Sequence, residues 1–92
     1  MIVCEGDSCR ISGAVTMDSV GGLLRDLQPH LAGGVEALDF SGVEVADSAA
    51  LALVFGAMRQ IRQRGRTLAV SGLPSSFTTL AELYGVADLL PA

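Results

Sequence analysis

The chain has 92 residues, of which 50% are hydrophobic and 17% are charged, and its formal net charge is −4 at pH 7. This composition excludes an intrinsically disordered chain, and six arginines without a lysine do not supply the basic face that nucleic acid or anionic lipid requires. The length predicts one domain over residues 1–92, with apolar surface left over for a partner. The sequence shows neither a signal peptide nor a membrane-spanning stretch, so we expect a cytoplasmic protein without direct membrane insertion.

Alternating apolar and polar residues predict two N-terminal strands, over residues 1–4 and 9–15, joined by a polar turn into a hairpin. The two cysteines, Cys4 and Cys9, could face each other across this hairpin. In a cytosolic chain we expect them to remain reduced thiols that pack in the core. Their spacing, with His30 far away in the sequence, predicts no metal site.

A first helix is predicted after the hairpin, capped by Thr16 or Asp18 and closed by Pro29 and the glycines at 33 and 34. Its apolar residues at helical spacing are Val20, Leu23, Leu24, Leu27 and Leu31. Residues 35–40 follow as a nearly continuous apolar run, which predicts a central strand of the sheet.

After a short turn, the second helix is predicted from Ser48 to Gln63, with Gly65 as its stop signal. A fourth strand follows at residues 67–70, and a third helix begins at Ser75 or Ser76 and ends at Gly85. Residues 89–90 would add a short final edge strand. The predicted fold is α/β, with the order β-β-α-β-α-β-α, a mixed sheet and helices packed on it.

The second helix is apolar on two sides, and we assign one side to the core and the other to a partner. The predicted core stripe is Leu51, Val54, Phe55, Met58 and Ile61. The opposite stripe is Ala49, Ala52, Leu53, Gly56 and Gln60, where a solvated helix would carry charges. We expect Leu53 to be its protruding anchor, unless another part of the same chain covers this face.

Asp47 and Ser48 stand where the second helix begins. Asp47 is expected to cap the helix by accepting the amide hydrogen of Ala49 or Ala50. A helix N-terminus with a free hydroxyl also suits a phosphate or a polar group of a partner. No base lies near these residues in the sequence and no glycine-rich phosphate loop is present, so we expect neither catalysis, nor nucleotide binding, nor a cofactor.

The run from Leu38 to Leu53, with Asp47-Ser48 at the helix start, resembles the signature of STAS domains, the fold of anti-sigma-factor antagonists and of cytoplasmic modules of anion transporters. The stretches at residues 65–72, 79–86 and 89–91 resemble in particular the small MlaB-type subunits of Mla phospholipid-transport ABC systems. The resemblance covers the whole chain and implies a single STAS domain.

In anti-sigma-factor antagonists the motif is typically Asp-Ser-Ser-Gly-Leu, and the partner kinase phosphorylates the second serine. Here Ala49 and Ala50 replace that serine and the glycine, so Ser48 is the remaining candidate phosphorylation site. The resemblance therefore implies a non-catalytic subunit, peripheral to the inner membrane, that binds the ATPase of an ABC complex with a membrane permease. Such complexes maintain the lipid asymmetry of the outer membrane in Gram-negative bacteria. The alternative is an anti-sigma-factor antagonist that acts by partner switching.

Overall fold

The computed structural model describes residues 1–83 and 85, which form four strands and three helices. In chain order these are β1 (Ile2–Glu5), β2 (Ser8–Val15), α1 (Val20–Ala32), β3 (Ala37–Ala46), α2 (Ser48–Gln63), β4 (Ala69–Ser71) and α3 (Ser75–Leu83). The predicted element order is confirmed for these residues. Tyr84 and the predicted strand at 89–90 lie outside the described residues.

The four strands form one mixed sheet in the order β1-β2-β3-β4. β1 and β2 pair antiparallel as a hairpin, whereas β2 with β3 and β3 with β4 pair parallel. Each parallel pair needs a crossover, and α1 and α2 provide the two crossovers. The central position predicted for β3 is confirmed, because this strand lies between β2 and β4.

β3 is longer than the sequence predicts. It continues through residues 41–46, which were expected to form a turn, and only Asp47 separates it from α2. The pairing with β2 shifts register twice, between Arg10 and Ser12 and between Gly13 and Ala14. Such β-bulges place an extra residue in one strand, which disturbs the apolar alternation on which the sequence-based prediction depends.

The helices cover one face of the sheet and enclose a single hydrophobic core. In β2, Cys9, Ile11 and Val15 are buried, whereas their neighbour Arg10 is exposed on the other face. α2 lies between the other two helices and contacts both. The core residues contributed by α1 and α2 are Leu23, Leu27, Leu31, Ala50, Leu51, Leu53, Val54, Ala57 and Ile61. None of the helices in the described residues is both long and apolar enough to span a membrane.

The start of α1 differs from the predicted cap. Its N-cap residue is Ser19, not Thr16 or Asp18, and the Ser19 hydroxyl makes no capping hydrogen bond. Instead, Ser19 Oγ donates to the carbonyl of Ala14 at 2.9 Å and accepts the backbone N–H of Thr16 at 2.9 Å. Ser19 therefore stabilises the loop between β2 and α1. Pro29 lies inside the helix, which continues to Ala32.

The two cysteines form a disulfide across the β1–β2 hairpin, where they are direct partners in the strand register. The expectation of two reduced thiols is therefore wrong for this structure, and the alternative of facing cysteines is confirmed. α1 also brings His30 back to the hairpin. The ligand atoms of Cys4, Cys9 and His30 all lie within 4.8 Å of one another, although His30 is distant in the sequence.

Candidate functional site

The candidate site lies at the edge of the sheet where the parallel strands β2 and β3 end. Val15, the last residue of β2, pairs with Ala46, the last residue of β3. The chain then enters α1 through the loop at residues 16–19 and enters α2 through Asp47. Because the carboxyl ends of neighbouring parallel strands meet here, two loops and a helix N-terminus share one surface, as is usual for binding sites of α/β folds.

Asp47 joins the two loops. Its Oδ1 accepts the backbone N–H of Ala49 at 2.8 Å, which confirms the predicted N-cap of α2. Its Oδ2 accepts the backbone N–H of Met17 at 3.1 Å, which the sequence did not predict. The Asp47 backbone N–H donates to Val15 O at 3.3 Å. Both carboxylate oxygens thus accept hydrogen bonds from the protein backbone, so Asp47 holds the β2–α1 loop against the start of α2.

Ser48 is the first residue of α2, and its side chain is exposed. Within residues 1–83 its hydroxyl takes no part in a side-chain hydrogen bond, since Asp47 caps the helix. The positive end of the helix dipole lies at this position. The Ser48 hydroxyl is therefore open to solvent at the positive end of the α2 dipole.

The solvent-facing side of α2, which we call the outer face of α2, follows from Ser48 at helical spacing. It consists of Ser48, Ala52, Phe55, Gly56 and Arg59. Ser48, Ala52 and Arg59 are exposed, whereas Phe55 and Gly56 are half-buried. Over its first two turns this face lacks the charged side chains of an ordinary solvated helix.

The prediction that Leu53 protrudes from this face is wrong, because its side chain is 0% exposed in the core. Leu53 lies one turn after Ala50 and one turn before Ala57, and both alanines are buried. The buried side of α2 therefore includes residues of both predicted stripes, Leu51, Val54 and Ile61 from the core stripe and Leu53 from the opposite one. Of the other predicted partner-binding residues, Ala52 is exposed, whereas Ala49 and Gly56 are half-buried.

Three apolar residues near the site were not predicted to belong to it. Phe55 packs against the core as predicted but is only half-buried. Met17 and Val45 are 77% and 57% exposed. Met17 lies against the α2 N-terminus through its bond to Asp47, and Val45 is the penultimate residue of β3. The arginine at 59 could have revealed Phe55, because a charged residue marks the solvent side and Phe55 lies one turn before it.

A shallow pocket lies on the open face of the sheet, away from this surface. It is lined by Val3, Glu5, Ser8, Arg10, Ser12 and Asp39. Asp39 Oδ1 accepts the backbone N–H of Ser41 at 2.8 Å. This bond, assisted by the positive charge of Arg10, holds the pKa of the Asp39 carboxyl below its ordinary value. The effect stabilises the carboxylate at the surface.

Comparisons with known proteins agree on one family and one fold. The family model described as "Mlab, STAS domain" matches residues 5–91. The "Intermembrane phospholipid transport system binding protein MlaB" of Escherichia coli (strain K12) is 29% identical over 87 residues, covering 94% of this chain and 89% of that protein. The protein of the same name from Shigella flexneri matches equally well.

Among solved structures, the anti-sigma factor antagonist SpoIIAA in its unphosphorylated form superimposes with a TM-score of 0.71 and 14% identity. The match covers 96% of this chain and 82% of that one. The phosphorylated form of this Bacillus cell fate determinant gives a TM-score of 0.69 and 15% identity, over 96% and 85% of the two chains. At these identities the superpositions establish the shared fold.

Proposed function

The chain belongs to the Mlab family of STAS domains, and from this premise we propose that it is a non-catalytic subunit of an ABC phospholipid-transport complex. In this proposal the chain is cytoplasmic, binds the ATPase subunit, and reaches the inner membrane and its permease only through that partner. It binds neither nucleotide nor nucleic acid and needs no cofactor. The name of the E. coli relative, with 29% identity over nearly the whole chain, supports the transport system as the context.

The observation that carries the proposal is the exposed apolar surface at the start of α2. Ala52 on the outer face, with Met17 and Val45 beside the helix N-terminus, offers apolar area to water at the same edge of the sheet. Burial of such area is worth about 25 cal/mol per Å², and small side chains let a partner helix approach closely. This combination suits protein docking better than binding of a small molecule.

Two polar residues lie at opposite ends of this apolar surface and would orient a bound partner. The exposed hydroxyl of Ser48 lies at the positive end of the α2 dipole, where it suits a carboxylate or carbonyl of the ATPase. At the other end of the outer face, Arg59 adds a positive charge at the rim. We propose that binding favours one conformation of the ATPase and so shifts its population towards the active assembly.

The test is copurification of the tagged chain with a candidate ABC ATPase subunit from the same organism. Ala52→Arg places a long cation in the middle of the outer face, where it stays solvated in the free domain but meets an apolar partner surface in the complex. The matched control is Ala32→Arg, at an exposed alanine that ends α1. We expect both variants to keep the far-UV circular dichroism of the parent and only Ala52→Arg to lose the ATPase.

A folded Ala52→Arg variant that copurifies at the parental level would overturn the proposed docking surface. Copurification of a kinase-like anti-sigma factor in place of the ATPase would favour the alternative, an anti-sigma-factor antagonist. The SpoIIAA fold and the exposed hydroxyl of Ser48 support this alternative, whereas the alanines at positions 49 and 50 weigh against its usual phosphorylation motif.

A further inference from the structure

We propose that Cys4, Cys9 and His30 form a thiol-gated zinc site, which binds Zn²⁺ when the cysteines are reduced and is closed by their disulfide. These residues lie at the hairpin end of the molecule, whereas the outer face of α2 begins at the opposite end of β2 and β3. The proposal concerns a site that the docking function does not use. The zinc site can therefore be tested without the ATPase partner.

The fold brings the three ligands together from both layers of the molecule. Cys4 and Cys9 are direct cross-strand partners with a Cα–Cα distance of 4.0 Å, so their sulfurs project on the same face of the sheet. α1 packs over this face, and His30 lies near its end. The Sγ atoms and an imidazole nitrogen are all within 4.8 Å of one another.

Tetrahedral zinc requires the two sulfurs, which are bonded in the disulfide, to separate on reduction and the imidazole nitrogen to approach them. With Zn–S bonds of about 2.3 Å and a Zn–N bond of about 2.0 Å, neighbouring ligand atoms stand roughly 3.5 to 3.8 Å apart. Side-chain rotation of the exposed His30 can close the remaining distance. Two cysteines and one histidine leave a fourth position, which the exposure of His30 keeps open to water.

Charge favours zinc over a monovalent soft metal. Cys9 is buried and Cys4 half-buried, so a charged site here would carry a desolvation cost. Zn²⁺ with two thiolates and a neutral imidazole has no net charge, whereas Cu⁺ with the same ligands leaves one negative charge. The carboxylates of Glu5 at the end of β1 and of Asp7 in the adjoining turn add a negative potential that attracts the cation.

The gate is an ordinary thiol–disulfide exchange. A dithiol reductant transfers two electrons and two protons to the Cys4–Cys9 bond, which becomes two thiols while the reductant becomes its own disulfide. Zn²⁺ then replaces both thiol protons, which are released to solvent, and it takes the lone pair of neutral His30. In the reverse exchange a small-molecule disulfide accepts two electrons and leaves as two thiolates, the Cys4–Cys9 bond forms again, and the Zn²⁺ is released.

The experiment uses Co²⁺ as a spectroscopic probe and Zn²⁺ as its competitor. The full chain, reduced with a phosphine under anaerobic conditions, should bind one Co²⁺ per chain and develop a thiolate-to-cobalt charge-transfer band that Zn²⁺ abolishes. The chain contains two cysteines and one histidine in all, so this signature reports on the proposed ligands alone. The oxidised chain should show no band.

The decisive variant is His30→Gln, which alters an exposed side chain and should leave the fold unchanged by circular dichroism. Mutation of a residue that only hydrogen-bonds to a metal ligand already lowers metal affinity about 10- to 100-fold. Loss of the ligand His30 itself should therefore lower Zn²⁺ affinity at least tenfold. Gln28→Ala, at an exposed position of the same helix, is the control and should bind as the parent does. The proposal is overturned by a reduced, folded chain without the band, by one metal per two chains, or by parental affinity in His30→Gln.

Discussion

Asp47 Oδ2 accepts the backbone N–H of Met17, thirty residues earlier in the chain, while its Oδ1 caps α2 through Ala49. One carboxylate thus holds the β2–α1 loop against the start of the next crossover helix. We expect Asp47→Ala to lower the free energy of unfolding by about 1–2 kcal/mol, because it removes the cap and leaves a second N–H without its acceptor. Asp47→Asn, which keeps one acceptor oxygen, should lose less. Urea unfolding of the two variants and the parent measures the difference.

Ser48 should behave in the opposite way, because its hydroxyl is exposed and Asp47 already caps the helix. We expect Ser48→Ala to change the free energy of unfolding by no more than about 0.5 kcal/mol, as is usual for exposed positions, and yet to weaken binding of the ATPase. Thermal unfolding and an affinity measurement on the same preparations separate the two effects. A variant that is equally stable and binds equally well would remove Ser48 from the interface.

Leu53 gives a direct test of the corrected orientation of α2. Its side chain is fully buried, so Leu53→Ala should cost about 2–5 kcal/mol of stability. Ala52→Arg, one residue earlier but on the exposed side, should leave stability close to that of the parent. Denaturant unfolding of both variants checks the assignment. If the costs were reversed, the helix would be turned the other way.

Gly56 separates stability from docking. A methyl group at this position would meet nothing within 4 Å in the free domain, and glycine in a helix interior costs about 0.5–1 kcal/mol relative to alanine. We therefore expect Gly56→Ala to raise the melting temperature. If a partner helix packs against this position, the same methyl should weaken the complex.

Gly21 is the matched control, because it is an exposed glycine of α1 that is equally free of neighbours. Gly21→Ala should also stabilise the domain, by less than Gly56→Ala because Gly21 lies in the first turn of α1, and should leave the complex unchanged. Calorimetry of the free domains and titration with the ATPase provide both readouts. Equal binding by the two variants would contradict a close approach at Gly56.

The lowered pKa of Asp39 predicts a specific dependence of stability on pH. Because the folded state holds the Asp39 proton less tightly than the unfolded chain, this group stabilises the fold above its ordinary pKa near 4. That contribution is lost as the pH falls through the lower folded-state value. Asp39→Asn should therefore reduce the loss of stability that acidification through the ordinary pKa near 4 and below it produces. Thermal unfolding over this range, with the exposed Asp26→Asn as control, measures the change.

Local patterns predicted the elements well where one signal dominated. The bounds of α2 agree with the prediction at both ends, since an acidic cap precedes Ser48 and a glycine follows the last turn. The cap of α1 was missed because three hydroxyl or acidic side chains compete in residues 16–19. The second half of β3 was missed because two bulges interrupt its alternation.

The site could be predicted only in part, for a physical reason that differs from residue to residue. Asp47 and Ser48 follow from helix capping, which is local. Leu53 was placed wrongly because both sides of α2 are apolar, so the helix pattern alone could not show which side the sheet covers. Met17 and His30 reach their neighbours through tertiary folding, and no spacing in the sequence reports such contacts.

The antiparallel hairpin also bears on how fast the chain folds. Its two strands are joined by a short turn at Gly6, which has a left-handed φ of +60°. In each parallel pair, by contrast, a whole helix lies between the two strands in the sequence. Formation of a β-hairpin takes about 1–10 μs, and the finished hairpin offers β3 an edge on which to add. We therefore expect the rate-limiting step of folding to include the long-range pairing of β2 with β3. Newly synthesised chains would therefore expose the apolar side of the hairpin until α1 has emerged and packed over it.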